Sequence, residues 1–193
     1  MNELNAYNDN QLLELLLEKF PISNYAFNII YDRYAVKLKS YCLFKSGNSE
    51  DAEEIFQETW IKFHSSVLSG KKDIILPSYI YTIAHNLCID KFRVKKNKNI
   101  YFNNDFNYDI VADPLNLQLD VENRELMNMI YLGLNQLSET NREAFILKWF
   151  SGLTFQEISK VLGESVDCVK QRSCRAFSEL QKILKPIIAD IKK

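Results

Sequence analysis

Apolar residues recur at steps of three and four along most of this chain, and few residues that end helices interrupt them. Phe27, Ile30, Tyr31, Tyr34, Leu38, Tyr41 and Cys42 form the longest such run, and that period places one buried stripe on a helix. Only 5 Gly and 4 Pro occur in 193 residues, too few turn residues for a sandwich of many short strands. The expected fold class is all-α. A chain of this length holds one or two domains with helical cores.

The stripes fall into two groups. Leu12, Leu13, Leu16 and Phe20 predict a short first helix, closed by Pro21. Gly47 ends the second helix, and Asn48 or Ser49 can cap a third that has Glu50 and Asp51 in its first turn. Ala52, Ile55, Phe56, Thr59 and Phe63 form its inner face. The loop SSVLSGKKDIIL leads to Pro77, which opens a fourth helix carrying Ile80, Ile83, Ala84 and Leu87 inward. Four helices with short connections predict a bundle over residues 1–98. Across 99–123 the helical pattern fails, and Asn and Asp accumulate, as in a flexible acidic linker. Pattern returns over 124–193 with Leu126, Met129, Ile130, Leu134 and Leu137, and Ser138 stands where it can cap a helix from Glu139 to Phe150. Gly152 breaks that helix. Thr154-Phe155-Gln156-Glu157 is a capping box, Gly163 supplies a turn, and Ser165 caps a last helix with Val166, Val169, Ala176, Phe177 and Leu180 inward. Helix, glycine turn and helix make a helix-turn-helix.

Charge and composition narrow the chemistry. The formal net charge is −1, but five cations crowd Asp90 to Lys98, and six acids face only Arg124 between Asp105 and Glu125. Local patches therefore matter more than the total. Two histidines, no glycine-rich phosphate loop after a strand and no nucleophile–base motif point away from an enzyme, so no catalytic residue and no cofactor are expected. Cys42, Cys88, Cys168 and Cys174 form no C-x-x-C pair and no zinc spacing with the histidines. No metal site is expected, and Cys42 and Cys88 read as buried free thiols. The start MNELNAYNDN lacks a signal-peptide core, and no apolar run approaches membrane-spanning length. The expected setting is reducing and cytoplasmic, without membrane insertion.

Three polar surfaces remain. On the last helix Asp167, Lys170, Gln171, Arg172, Cys174 and Arg175 face away from the core stripe. Arg and Lys pair with guanine, Gln pairs with adenine, and flanking cations hold phosphates, so this face suits the major groove. On the fourth helix Asn86, Asp90 and Arg93 share one stripe, continued by Lys95, Lys96 and Lys98, while Tyr79, Tyr81 and His85 offer rings that can stack on an unpaired base. The same residues also read as an Asp90–Arg93 ion pair with a solvated tail. On the third helix Asp51, Glu53, Glu54, Gln57 and Glu58 crowd around Trp60, an acidic face with an exposed aromatic that suits a basic protein partner.

DAEEIFQETWIKF, then PSYIYTIAHNLCIDKFR, then LNQLSETNREAFILKWFSGLTFQEISKVLGESVDCVKQRSCRAFSEL resemble, in order and spacing, the conserved regions of extracytoplasmic-function sigma factors of bacterial RNA polymerase. The resemblance covers nearly the whole chain outside the linker. It implies a factor that binds core RNA polymerase and directs promoter-specific transcription initiation. It implies that Asp51, Glu54, Gln57 and Glu58 meet the polymerase clamp helices. It assigns the −10 promoter element to His85, Asn86, Asp90 and Arg93 with the Lys95–Lys96 cluster, and expects Val67 to Ile75 to hold a flipped base. The −35 element falls to Lys170, Gln171, Arg172, Cys174 and Arg175. An anti-sigma protein is the further partner the family implies. The family usually has Trp-Leu where this chain has Tyr79-Ile80, and Thr where it has Cys168, which lacks the hydroxyl for a phosphate contact; Cys174 on the reading face implies an unusual −35 preference. The alternative is a stand-alone helix-turn-helix regulator that acts without polymerase.

Overall fold

A computed structural model of the chain describes residues 6–71, 74–97 and 129–191, with residues 95–97 and 186–191 described by backbone alone. Every regular element among the described residues is helical. They are α1 (Asp9–Leu15), α2 (Ile22–Ser46), α3 (Ser49–Leu68), α4 (Leu76–Asn97), helical residues 129–135, α5 (Glu139–Phe145) with a π-turn (Ile146–Phe150), α6 (Phe155–Leu162) and α7 (Val166–Ile191). Residues 99–123, expected from the sequence to be a linker, and Leu126 lie outside the described residues.

The boundaries follow side-chain chemistry. Asn8 and Gln11 cap α1 reciprocally. Gly47 ends α2 with φ 72°, a conformation that costs a residue with a Cβ. The Asn48 side chain, not Ser49, then accepts from the Asp51 backbone N–H at 2.8 Å and starts α3. Leu76 precedes Pro77 as the first residue of α4. Ser138 stands before α5, but its side chain makes no capping bond. The capping box is formed, with Glu157 accepting from the Thr154 backbone N–H at 2.7 Å. Gly163 (φ 66°) ends α6, and Ser165 Oγ accepts from the Cys168 N–H at 3.2 Å.

The helix expected to run evenly from Glu139 to Phe150 does not. Its second half widens into a π-turn, and the Ser151 N–H donates to the Ile146 carbonyl five residues back. Such a turn adds a residue to the ladder and shifts the register of the residues after it.

In the N-terminal bundle α2, α3 and α4 pack on one another. In the C-terminal unit α7 packs on α5 and α6. The two units share one apolar core, because α6 packs on α4 and the π-turn packs on α2. Phe44 of α2 is the aromatic pin of this joint, with its ring 5.1 Å from Tyr131 and 5.6 Å from Phe150. Gly133 lets residues 129–135 approach α7, since a Cβ there would lie 2.6 Å from Leu180 Cδ1. Three residues expected in the core are exposed, among them Tyr31 of α2 at the rim of the Trp60 cluster, with ring centroids 4.9 Å apart. Phe20 is 81% exposed beyond the end of α1, and Phe177 lies half exposed beside Trp149, with ring centroids 5.8 Å apart. Among the described residues no helix is long and apolar enough to cross a membrane.

Candidate nucleic-acid interface

The polar stripe of α4 forms as its spacing requires. Asn86, Asp90 and Arg93 are exposed on the side away from buried Ile80, Ala84 and Leu87. Arg93 donates to Asp90 at 3.0 Å, the ion pair that the plainer reading expected. Both partners are solvated, so the pair contributes little and leaves the face open to a ligand. Ile89 and Val94 are exposed apolar neighbours on the same helix. The side chains of Lys95 and Lys96 lie outside the described residues. Because α3 continues through Leu68, the loop after it is shorter than Val67 to Ile75, and its Lys72 and Asp73 lie outside the described residues.

The expected stacking rings are elsewhere. Tyr81 is fully buried edge-on to Tyr41, at 5.4 Å between centroids. Tyr79 is half-buried beneath Lys71, whose Nζ lies 4.3 Å from the ring centre. His85 turns toward the C-terminal unit. Its Nδ1 lies 2.9 Å from Glu143 Oε1 and 3.3 Å from the Tyr41 hydroxyl, which itself donates to that carboxylate at 2.7 Å. Lys45 donates to the other Glu143 oxygen at 2.9 Å and to Glu139 at 3.0 Å. Burial alone would raise the Glu143 pKa; the bonds and charges of His85, Lys45 and Tyr41 together outweigh it and hold the carboxyl at about 2. Sequence reasoning missed this cluster. The available signal was an acid at position 143, one helical turn from core residue Leu147.

On α7 the backbone presents Asp167, Lys170, Gln171, Cys174 and Arg175 to solvent, opposite buried Val169, Ala176 and Leu180. Arg172 differs, since it is only partly exposed and forms an ion pair with Glu164 in the turn. Cys168 Sγ donates to the same carboxylate at 3.4 Å. Glu164, unremarked in the sequence, thus ties the turn to the start of the second helix. The thiols of Cys42 and Cys88 are free and buried as expected, and burial pushes Cys88 up to about 12.

The acidic face of α3 is only partly a free surface. Glu54 and Gln57 are exposed and Glu58 is half-exposed, salt-bridged to Lys62 at 2.9 Å. Asp51 is buried, 2.9 Å from Lys91 of α4, which also reaches Glu54. Desolvation would lower the Lys91 pKa, but Glu54 and Asp51 outweigh it and raise it. Trp60, expected as an exposed aromatic, is 6% exposed and packs among Phe27, Tyr31, Phe56 and Phe63.

Known proteins are similar to this chain in sequence and in the arrangement of helices. The chain is 31% identical over 170 residues to the ECF RNA polymerase sigma factor SigW of Bacillus subtilis, across 84% of this chain and 90% of that one. It belongs to the extracytoplasmic-function sigma factors. It is also 29% identical over 159 residues to the ferric citrate uptake sigma factor FecI of Escherichia coli, covering 78% and 86% of the two chains. The model of Sigma-70 region 2 matches residues 30–98, and that of Sigma-70 region 4 matches residues 118–180. Among solved structures, CnrH in complex with the cytosolic domain of CnrY shares the fold at a TM-score of 0.65 and 20% identity, over 92% of this chain and 97% of that one. The sigma factor RpoE of Bartonella quintana, in complex with the anti-sigma factor NepR, shares it at 0.60 and 21%, over 84% and 98%. This sigma factor therefore directs transcription initiation with RNA polymerase, and its family are not enzymes. Region 2 carries the acidic face and the α4 stripe; region 4 carries the helix-turn-helix.

Proposed function

We propose that this sigma factor divides promoter recognition between α4 and α7 and holds core RNA polymerase through α3. The observation that carries the reading is the row Lys170, Gln171, Cys174 and Arg175, exposed on the second helix of a capped helix-turn-helix. Side chains of that kind on such a helix read base edges and hold phosphates in the major groove of the −35 element. Arg172 positions the helix through Glu164 as well as standing near the groove. Asn86, Asp90 and Arg93, with the Lys95–Lys96 end, act on the −10 element; His85 joins them once it is released from Glu143.

Glu54, Gln57 and Glu58 meet the polymerase clamp helices, and Asp51 supports that face from below through Lys91. The chain itself carries out no catalysis, needs no cofactor and works in the cytoplasm. An anti-sigma protein is its regulator, in keeping with the partners named for CnrH and RpoE. The domain division at 1–98, 99–123 and 124–193 belongs to the same reading. Run-off transcription with core RNA polymerase on fragmented genomic DNA tests it. The expected products share two spaced upstream elements; no product beyond core polymerase alone refutes the reading.

A further inference from the structure

Glu164 sits in the turn between α6 and α7, and its backbone is held on both sides. Its N–H donates to the Ser159 carbonyl at 3.1 Å, and its own carbonyl accepts from Ser159 Oγ. The carboxylate is therefore placed by α6, yet both its oxygens are spent on α7. One pairs with Arg172 Nη1, and the other accepts from Cys168 Sγ at 3.4 Å. The two side chains of the ion pair are 25% and 28% exposed, against 72% and 58% for the Arg93–Asp90 pair on α4. Solvent screens a covered pair less, so this one holds where the open one gives way.

Arg172 stands at the edge of the reading row. At about 100° per residue, Lys170, Gln171, Cys174 and Arg175 span one arc of α7, and Arg172 lies just past its Arg175 end. A helix seated in the major groove points such a flank at the phosphates of the groove wall, where a cation adds affinity for any sequence. The Glu164 carboxylate occupies that guanidinium from the turn and cancels its charge.

We propose that Glu164 withholds Arg172 from the DNA backbone, so that α7 holds DNA through its exposed row alone and binds duplex of arbitrary sequence weakly. The inference rests on the DNA-reading role given to α7. A purely structural ion pair would have the opposite sign. Breaking it would loosen α7 and weaken binding, whereas releasing a withheld cation strengthens it.

Fluorescence anisotropy of a labelled mixed-sequence duplex, titrated with the full chain at a series of salt concentrations, reads this sign. Glu164→Gln, with circular dichroism unchanged, should bind more tightly than the wild type, by about fourfold at about 0.2 M salt. It should also steepen the dependence of log affinity on log salt by about 0.9, one phosphate's share. Arg172→Ala added to that variant should cancel the extra slope. Glu164→Asp keeps the charge but shortens the reach to Arg172. It should shift binding the same way, and it decides the matter if Glu164→Gln loses helix. Binding no tighter than the wild type, or an extra slope that survives without Arg172, overturns the proposal. Transcription with core polymerase tests the −35 role separately, since Gln171→Ala should change the preferred upstream sequence. Tighter, steeper binding by Glu164→Gln beside an unchanged preference leaves the withheld cation standing and removes α7 from the −35 element.

Discussion

Asp51 sits in the first turn of α3, where its carboxylate meets Asn48 at the helix start and Lys91 of α4. Its neighbours in sequence, Glu54 and Glu58, are more exposed and pair at the surface with Lys91 and Lys62. The two kinds of acid should therefore answer differently to charge reversal. Asp51→Lys places a cation against Lys91 in a buried site, and breaking such a pair costs about 3 kcal/mol or more. Urea unfolding should record that loss. Glu54→Lys with Glu58→Lys should leave the unfolding midpoint nearly unchanged and still abolish co-purification with core RNA polymerase. Retained co-purification by the double variant would remove α3 from the polymerase contact. The sequence made all these acids look alike, because periodicity assigns a face and not a neighbour.

The helix-turn-helix is built from local signals. The Thr154–Glu157 box starts α6, Gly163 ends it, and Ser165 starts α7. Thr154→Ala removes one capping bond and should lower stability by about 1 kcal/mol in thermal or urea unfolding. The two helices proposed to meet DNA, α4 and α7, should separate in function. Gln171→Ala removes a possible bidentate contact worth roughly 1–3 kcal/mol of discrimination. It should relax preference at one or two −35 positions and leave strand opening intact. Asn86→Ala should instead impair opening, and a pre-melted bubble template should rescue it but not the upstream defect of Gln171→Ala. Equal losses on duplex and bubble templates would contradict the division. Gln171 is the cleaner probe, because replacing Arg172 also frees Glu164 in the turn.

At the scale of the whole chain the joint at Glu143 makes stability depend on acid. Its carboxyl titrates at about 2 in the folded protein, against an ordinary value of 4.5. A lowered folded pKa gives stability that is fully present above 4.5 and is lost as pH falls toward 2. The contribution at pH 7 is of order 3 kcal/mol. The stability difference between wild type and Glu143→Gln should shrink through that window and vanish below it, as urea titrations at successive pH values would record. A pH-independent difference would mean that the carboxylate charge is not what holds the units.

Helix content, the caps at Gly47, Asn48, Thr154 and Ser165, the helix-turn-helix and the exposed row on α7 were legible in the sequence. All of them depend on residues within a turn or two of one another, where 3.6-residue periodicity and capping chemistry act. The packing of helices on one another was not legible. Within the N-terminal bundle it buried Trp60 and Asp51; between the units it turned His85 toward Glu143 and gave that acid its partners. The π-turn after Phe145 was not legible either. The joint depends on side chains about 40 to 100 positions apart in sequence, such as Tyr41 with His85 and Glu143. A local period says that a residue faces some surface; only tertiary packing decides whether that surface is solvent or another helix.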